Sequence, residues 1–398
     1  MASQDTHRES AFERLTRLPS VASRIAYLSR HRLLSPSTVK RMDEAVTRLV
    51  RVDLRKAERV ALTAVTLANR LNDTEAKAYA ARAKANSLWF LGQIERASRL
   101  HSRATQLFDE AGNAVEAGRT LSSSIQPLIL LGEYQRALAA ARRARKIFSS
   151  AGDPVRLARL EINIGNVFHR QDRFREALVC YQRAYSRLLR ARDTEGIIAA
   201  LHNTATCLIA LNEYEKALSA YRLVRRFGQK AHMPLATAQA EYNIAYLYYL
   251  RGRYGQAIEM LRAARTFSEK LEDTYHTALC KLDLAEIYLE LNLNVDAAEL
   301  SKEAFGSFQQ LGMGYEAAKA LCESAIALSQ QGHGLSALDL FAQARSMFVR
   351  EKNRVWPSLI DLYQAVAYFD EGRVTEARRH CRAALRFFRS SPLPGIER

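Results

Sequence analysis

Residues Glu241–Asp273, EYNIAYLYYLRGRYGQAIEMLRAARTFSEKLED, read as two amphipathic helices joined by one glycine-containing turn. Ile244, Ala245, Leu247 and Tyr248 recur at helical spacing, Gly252 breaks the pattern, and a second run restarts through Ala257, Ile258, Leu261 and Ala264. Forty residues in either direction the same pattern returns. The small residue at 257 recurs as Ala57, Ala97, Ala137, Ala177, Ala217, Ala297, Ala337 and Ala377. Seven positions on, Ala64, Ala104, Ala144, Ala184, Ala264, Ala304, Ala344 and Ala384 repeat, with Val224 the exception. Twelve positions before, the series is Ala45, Ala85, Ile125, Gly165, Ala205, Ala245, Ala285, Ala325 and Ala365. A constant period of this length, each unit a helix pair, predicts an all-α stacked array of about nine repeats. It runs over residues 37–392 as one elongated domain, with an N-terminal helical cap over 1–36 and a tail at 393–398.

The turns are as regular as the helices. Asp53, Gly92, Gly132, Asp172, Asn212, Gly252, Asn292, Gly332 and Gly372 stand between the two helices of each unit, where a residue tolerant of left-handed backbone or able to cap is needed. Between units, Asp73, Asn113, Asp153, Asp193, Asp273 and Asn353 are short oxygen acceptors suited to capping the next helix, while Met233 and Met313 break the pattern. Ser37 is read as the N-cap of the first regular helix. In the cap, Ser10–Leu18 and Val21–Leu34 read as short helices broken at Pro19. Pro127 falls inside a first helix and predicts a kink, which makes 120–131 the least regular segment.

These features resemble the tetratricopeptide repeat family. The resemblance rests on the small residue of the first helix, the opening of the second (Gly132-Glu133-Tyr134, Asn212-Glu213-Tyr214, Gly252-Arg253-Tyr254) and the two alanines seven apart. It covers about nine-tenths of the chain. The long period is similar to that of kinesin-light-chain-like arrays and of the repeat arms of CHAT-domain proteases. The resemblance implies a right-handed superhelical solenoid whose first helices line a concave surface along which peptides lie.

On that surface Asn163, Asn203 and Asn243 occupy one repeating site, two residues before the small packing position. An asparagine amide both donates and accepts, so three in a row can pair with the backbone of an extended chain. Steps of three and four residues place Arg159, Asn166, His169 and Arg170 on the same face, then His202 and Thr206, then Gln239, Tyr242, Tyr246 and Tyr249. These are the predicted peptide-binding residues. The competing reading is that the asparagines bond neighbouring helices and stiffen the array.

Composition narrows the alternatives. The chain is basic, with a formal charge of +17 and pI near 9.8, and 48 % of its residues are apolar. Arginines crowd residues 142–192, whereas acids including Asp283, Glu286, Glu290, Asp296, Glu299 and Glu303 dominate 269–323. A groove so polarised would orient a ligand. The basic excess predicts weak nonspecific nucleic-acid binding at low salt, and no recognition helix or finger argues for more. No N-terminal apolar stretch and no long apolar run predict neither a signal peptide nor a membrane span. Cys180, Cys207, Cys280, Cys322 and Cys381 are scattered and odd in number, as reduced thiols of a cytoplasmic protein would be.

Nothing points to catalysis or to a cofactor or metal. Residues 312–317 and 332–337 each match G-x-G-x-x-A, but at turns between helices with no preceding strand. Cys180 lies on a second helix, away from His169 and His202 on first helices. Asp283 and Glu286 share a helix face with no pocket expected around them. The function read from the sequence is a protein-interaction scaffold that holds an extended or helical segment of a partner in its groove. The alternative is the N-terminal sensor arm of a CHAT-type protease system whose catalytic domain lies outside this chain. The last helix, Glu376–Arg389, keeps apolar residues where a solenoid would end in a polar cap, so docking of another domain or self-association are its expected uses.

Overall fold

The computed structural model describes residues 14–50, 53–351, 353 and 355–390. Among the described residues all regular structure is helical. Residues 14–17 and Val21–Arg30 come first, and eighteen helices then follow in nine pairs, from Pro36–Leu49 with Leu54–Leu71 to Trp356–Asp370 with Val374–Ser390. The first helix of a pair is called A and the second B. Within each unit successive helices of the pairs pack on one another, as Thr74–Phe90 does on Ile94–Glu110, and A helices also touch A helices of adjacent pairs, as Ala114–Leu130 touches Pro154–His169. The chain forms two compact units, Met1–Ala217 and Leu218–Arg398, divided within the helix Tyr214–Lys230.

The repeating small residues are the packing surface. Ala57, Ala97, Ala137, Ala177, Ala217, Ala257, Ala297 and Ala337 are fully buried, and Ala377 nearly so. Gly165 shows what the small side chain allows: a Cβ there would stand 2.4 Å from the ring of buried Tyr181. Between the alanines, Phe108, Phe148, Phe308 and Phe348 fill one repeating B-helix site, each at most 1 % exposed. Burying each such ring contributes about 1.5–3 kcal/mol.

The turn residues behave as their chemistry requires. Gly92, Gly132, Asp172, Asn212, Gly252, Asn292, Gly332 and Gly372 all take left-handed backbone. Asp53 does not; at φ −149° it caps Leu54–Leu71 by accepting from the Lys56 N–H. Asp73, Asn113, Asp153, Asp193 and Asp273 each cap an A helix by accepting from the N–H three residues on. Asn353 accepts from the N–H groups of Val355 and Trp356, while Met233 and Met313 cap nothing through their side chains.

Three expectations are corrected. The N-cap of Pro36–Leu49 is Ser35 rather than Ser37, because Pro36, whose fixed φ suits the first helical position, starts the helix two residues earlier. Pro127 does not interrupt its helix, which runs to Leu130 with the common length of seventeen residues. The proline sits in the last turn and forfeits one backbone bond there. In the cap, the second helix ends at Arg30, and Ser10 to Glu13 lie outside the described residues.

Unit 1 buries one ionic network. Arg82, on Thr74–Phe90, places Nη2 2.6 Å from Asp43 and Nη1 2.7 Å from Glu116, joining three A helices. Burial works against its charge, and the two carboxylates outweigh that and keep it protonated.

Candidate functional site

Each A helix turns one face away from its B partner, and the sequence-selected residues fall on it. In Pro154–His169, Arg159 is exposed and Asn163, Asn166 and His169 are half-buried; Arg170 follows exposed at the helix end. Arg159 forks onto Asp193, the cap of the next A helix, at 2.7 and 2.9 Å. That contact holds the Asp193 carboxyl below the usual range.

The asparagines are joined to the helices around them. Asn163 donates from Nδ2 to the hydroxyl and carbonyl of Ser122 on the preceding A helix, at 2.9 and 3.2 Å. Asn203 donates to Oδ1 of Asn166 at 3.0 Å, and the Tyr181 hydroxyl donates to the same oxygen at 2.8 Å. Asn243 donates to the Gln239 carbonyl of its own helix at 2.6 Å. Thr206 donates likewise to the His202 carbonyl. Burial holds His169 and His202 below the ordinary imidazole range, so both are neutral at neutral pH.

Around these residues unit 1 opens a cavity of about 490 Å³. Its lining includes Ser122, Ser123 and Arg119 of one A helix and Arg156 and Arg159 of the next. Each of the three arginines already faces an acid: Glu116, Asp153 and Asp193 respectively.

In unit 2 the predicted tyrosines face acids rather than asparagines. Tyr242 packs edge-on to His276 at 6.4 Å, and burial, with Asp283 nearby, pushes its hydroxyl up. Burial, with Glu286 nearby, pushes the Tyr249 hydroxyl up, and its ring lies 6.0 and 6.1 Å from those of Tyr246 and Tyr254. Asp283 stands forty residues after Asn243, and Glu323 forty after that, so the asparagine site continues as two carboxylates. The period itself was the signal for them, and the sequence reading stopped following it at Asn243.

The expectation that no pocket surrounds the acids at 283 and 286 is corrected for Glu286. Glu286 lines a cavity of about 370 Å³ with Glu290, Lys319, Glu323, Trp356 and Tyr363. Side chains from three A helices close it, a convergence that the face of a single helix does not reveal. Lys319 Nζ lies 2.9 Å from Glu286 and 3.6 Å from Glu323. Burial raises the carboxyl of Asp283 to about 6 and that of Glu323 well above the usual range, against the pull of Lys319.

Other candidate chemistry does not assemble. Cys180, Cys207, Cys280 and Cys322 are buried, Cys381 is exposed, and burial pushes the Cys180 thiol up to about 11. Gly312 and Gly332 are left-handed turn residues between helices. Among the described residues no cluster of three or more His, Cys, Asp or Glu is placed to hold a metal ion. No described helix is long and apolar enough to cross a membrane. On the last helix Leu385 is 49 % exposed, and Arg378, Arg379, Arg382 and Arg386 line a shallow cavity.

A family model described as tetratricopeptide repeat matches residues 128–190 and 156–230. Residues 128–230 carry tetratricopeptide repeats. Solved structures with the same fold agree. The apo form of RapI is 14 % identical with a TM-score of 0.63, covering 88 % of this chain and 97 % of its own. Aspartyl phosphate phosphatase F from Bacillus subtilis is also 14 % identical, with a TM-score of 0.58 and coverage of 91 % and 96 %. A Rap protein in complex with the competence and sporulation factor is 13 % identical, with a TM-score of 0.52 and coverage of 88 % and 100 %. Comparison with curated protein sequences returned no match. At these identities the likeness to the solved tetratricopeptide arrays extends to the fold alone.

Proposed function

We propose that this chain is a cytoplasmic protein-interaction scaffold whose A-helix faces hold a segment of a partner protein, with no covalent chemistry. The observation that carries this reading is that each unit has an open cavity walled chiefly by A helices, lined by Ser122, Ser123, Arg156 and Arg159 in unit 1 and by Glu286, Glu323, Trp356 and Tyr363 in unit 2. A purely solvated face would have no use for Asn163, Asn166, Asn203, Tyr242, Tyr246 and Tyr249. An asparagine amide that spends one N–H on a neighbouring helix keeps further donor and acceptor capacity for a ligand. Arg159, His169, Arg170, His202, Thr206, Gln239 and Asn243 complete the contact surface. The bound factor in the Rap complex provides a precedent on the same fold.

The test is selection of binders from a random peptide library on wild-type protein and on the triple variant Asn163→Ala, Asn203→Ala, Asn243→Ala. The first two substitutions also remove inter-helix hydrogen bonds worth roughly 1 kcal/mol each, so melting curves must accompany the binding data. Peptides lost on a folded variant support the face as the binding surface. Recovery of the same peptides with unchanged affinity excludes it. Binding should also weaken with salt, because exposed charge pairs are screened over about 8 Å at physiological ionic strength.

A further inference from the structure

The acidic cavity of unit 2 has a feature that structural salt bridges lack. Glu323 is 5 % exposed, and neither carboxylate oxygen accepts a hydrogen bond among the described residues. Its nearest cation is Lys319 Nζ at 3.6 Å, and that ammonium sits closer to Glu286, at 2.9 Å. An under-partnered buried carboxylate costs several kcal/mol relative to a well-paired one. Asp43, a buried acid of unit 1, is different: it receives the Arg82 guanidinium at 2.6 Å. Three glutamates therefore line the unit 2 cavity against one lysine, with Glu290 exposed at the mouth and Glu323 deep inside. Two aromatic side chains, Trp356 and Tyr363, line it too.

We propose that this cavity is a subsite for an arginine side chain of the bound segment, its guanidinium directed at the carboxylates of Glu290, Glu286 and Glu323 beside Trp356 and Tyr363. The assignment rests on the scaffold reading above and names the chemistry that unit 2 selects. A guanidinium is planar, delocalised and weakly hydrated, so it forks onto a carboxylate and lies against aromatic faces, whereas an ammonium holds its water more tightly. The cavity supplies both partners within one wall of A helices. The subsite is also proton-linked. Glu323 faces Lys319 on its own helix and Asp283 and Glu286 on the preceding A helix, and burial favours its neutral form. An arriving cation favours the carboxylate, so affinity rises with pH.

The chain has two tryptophans, so Trp89→Phe in the full-length protein leaves Trp356 as the reporter beside the site. The probes are acetylated, amidated pentapeptides with arginine, lysine or citrulline between glycines; citrulline keeps the shape of arginine and removes its charge. The arginine peptide should change Trp356 emission saturably. The citrulline peptide should bind roughly tenfold more weakly, and the isosteric substitutions Glu290→Gln and Glu323→Gln should each weaken arginine binding several-fold. Equal binding of arginine and citrulline peptides, indifference to both glutamine substitutions, or no arginine binding in the millimolar range overturns the subsite. Library peptides that respond to the asparagine variant but ignore Glu290→Gln and Glu323→Gln would overturn the subsite while leaving the scaffold standing. An arginine peptide held by the acidic cavity while no library peptide responds to the asparagine variant would do the reverse.

Discussion

Within each unit one architectural position is met with different chemistry, Asp43 against Asn163 and Asn203 in unit 1 and Asn243 against Asp283 and Glu323 in unit 2. In unit 1 the repeating A-helix site carries Asn163 and Asn203, both donating to neighbouring A helices, and the arginines around the cavity each face an acid. In unit 2 the same site carries Asn243 and then Asp283 and Glu323, buried acids with Lys319 as the nearby cation. The alanine series from Ala57 to Ala377 runs unbroken through both units, so this packing position is indifferent to the change. What differs is whether polar demand is met from within. A satisfied network stiffens the stack, whereas an unsatisfied one stores a preference for whatever charge completes it.

The sharpest test of this contrast removes the internal cation from each unit. Arg82→Met should cost about 3–5 kcal/mol, because Asp43 is left buried without its cation and Glu116 keeps only Arg119. Lys319→Met should cost markedly less, since Asp283 and Glu323 already lean toward their neutral forms. Chemical denaturation of the two variants measures both, and equal losses would erase the distinction.

Acidification should move the units in opposite directions. Burial raises the Asp283 carboxyl to about 6, so the stability this group contributes is full below the ordinary aspartate range and is lost as pH rises through about 6. The Asp283→Asn variant should therefore stabilise unit 2 by an amount on the order of 3 kcal/mol at pH about 8, and by little at pH about 4. His101 is the counterpart: burial, with Arg82 nearby, lowers it to about 3. Its contribution is present above the ordinary imidazole range and falls away on acidification below about 6.5. Hydrogen exchange read unit by unit between these pH values should show unit 1 loosening as unit 2 tightens, and parallel responses would refute the assignment.

Packing changes should not distinguish the units. Ala205→Leu in one and Ala245→Leu in the other should each cost about 1–3 kcal/mol, and Gly165→Ala should fall in the same range because its Cβ must displace the buried Tyr181 ring. Thermal melts check all three. The smallest expected effect is that of Asn163→Ala, about 1 kcal/mol through the lost bond to Ser122; a loss near zero would mean that this asparagine does not stiffen the stack.

The array was legible in the sequence because a forty-residue period fixes which residues must be small and where turns fall. Eight of the nine intra-pair turn residues take the left-handed backbone that their chemistry tolerates. The frame did not announce the left-handed backbone of Arg192, His232 and Glu272, residues with no intrinsic taste for it, held there by the helices on either side. The candidate site divided along the same line. Periodicity alone located the A-helix face and the row of asparagines, because spacing along one helix is a property of the chain.

Tertiary structure decided what those side chains do. Asn163 meets Ser122 and Asn203 meets Asn166 across forty residues of sequence, at separations set by how closely the alanines let A helices approach. The cavity around Glu323 exists only because three A helices bring Glu286, Lys319 and Trp356 to one place. A repeat frame specifies which residues are equivalent. Burial and the partner within reach, which depend on the neighbouring helices, determine whether equivalent residues are brace or binding site.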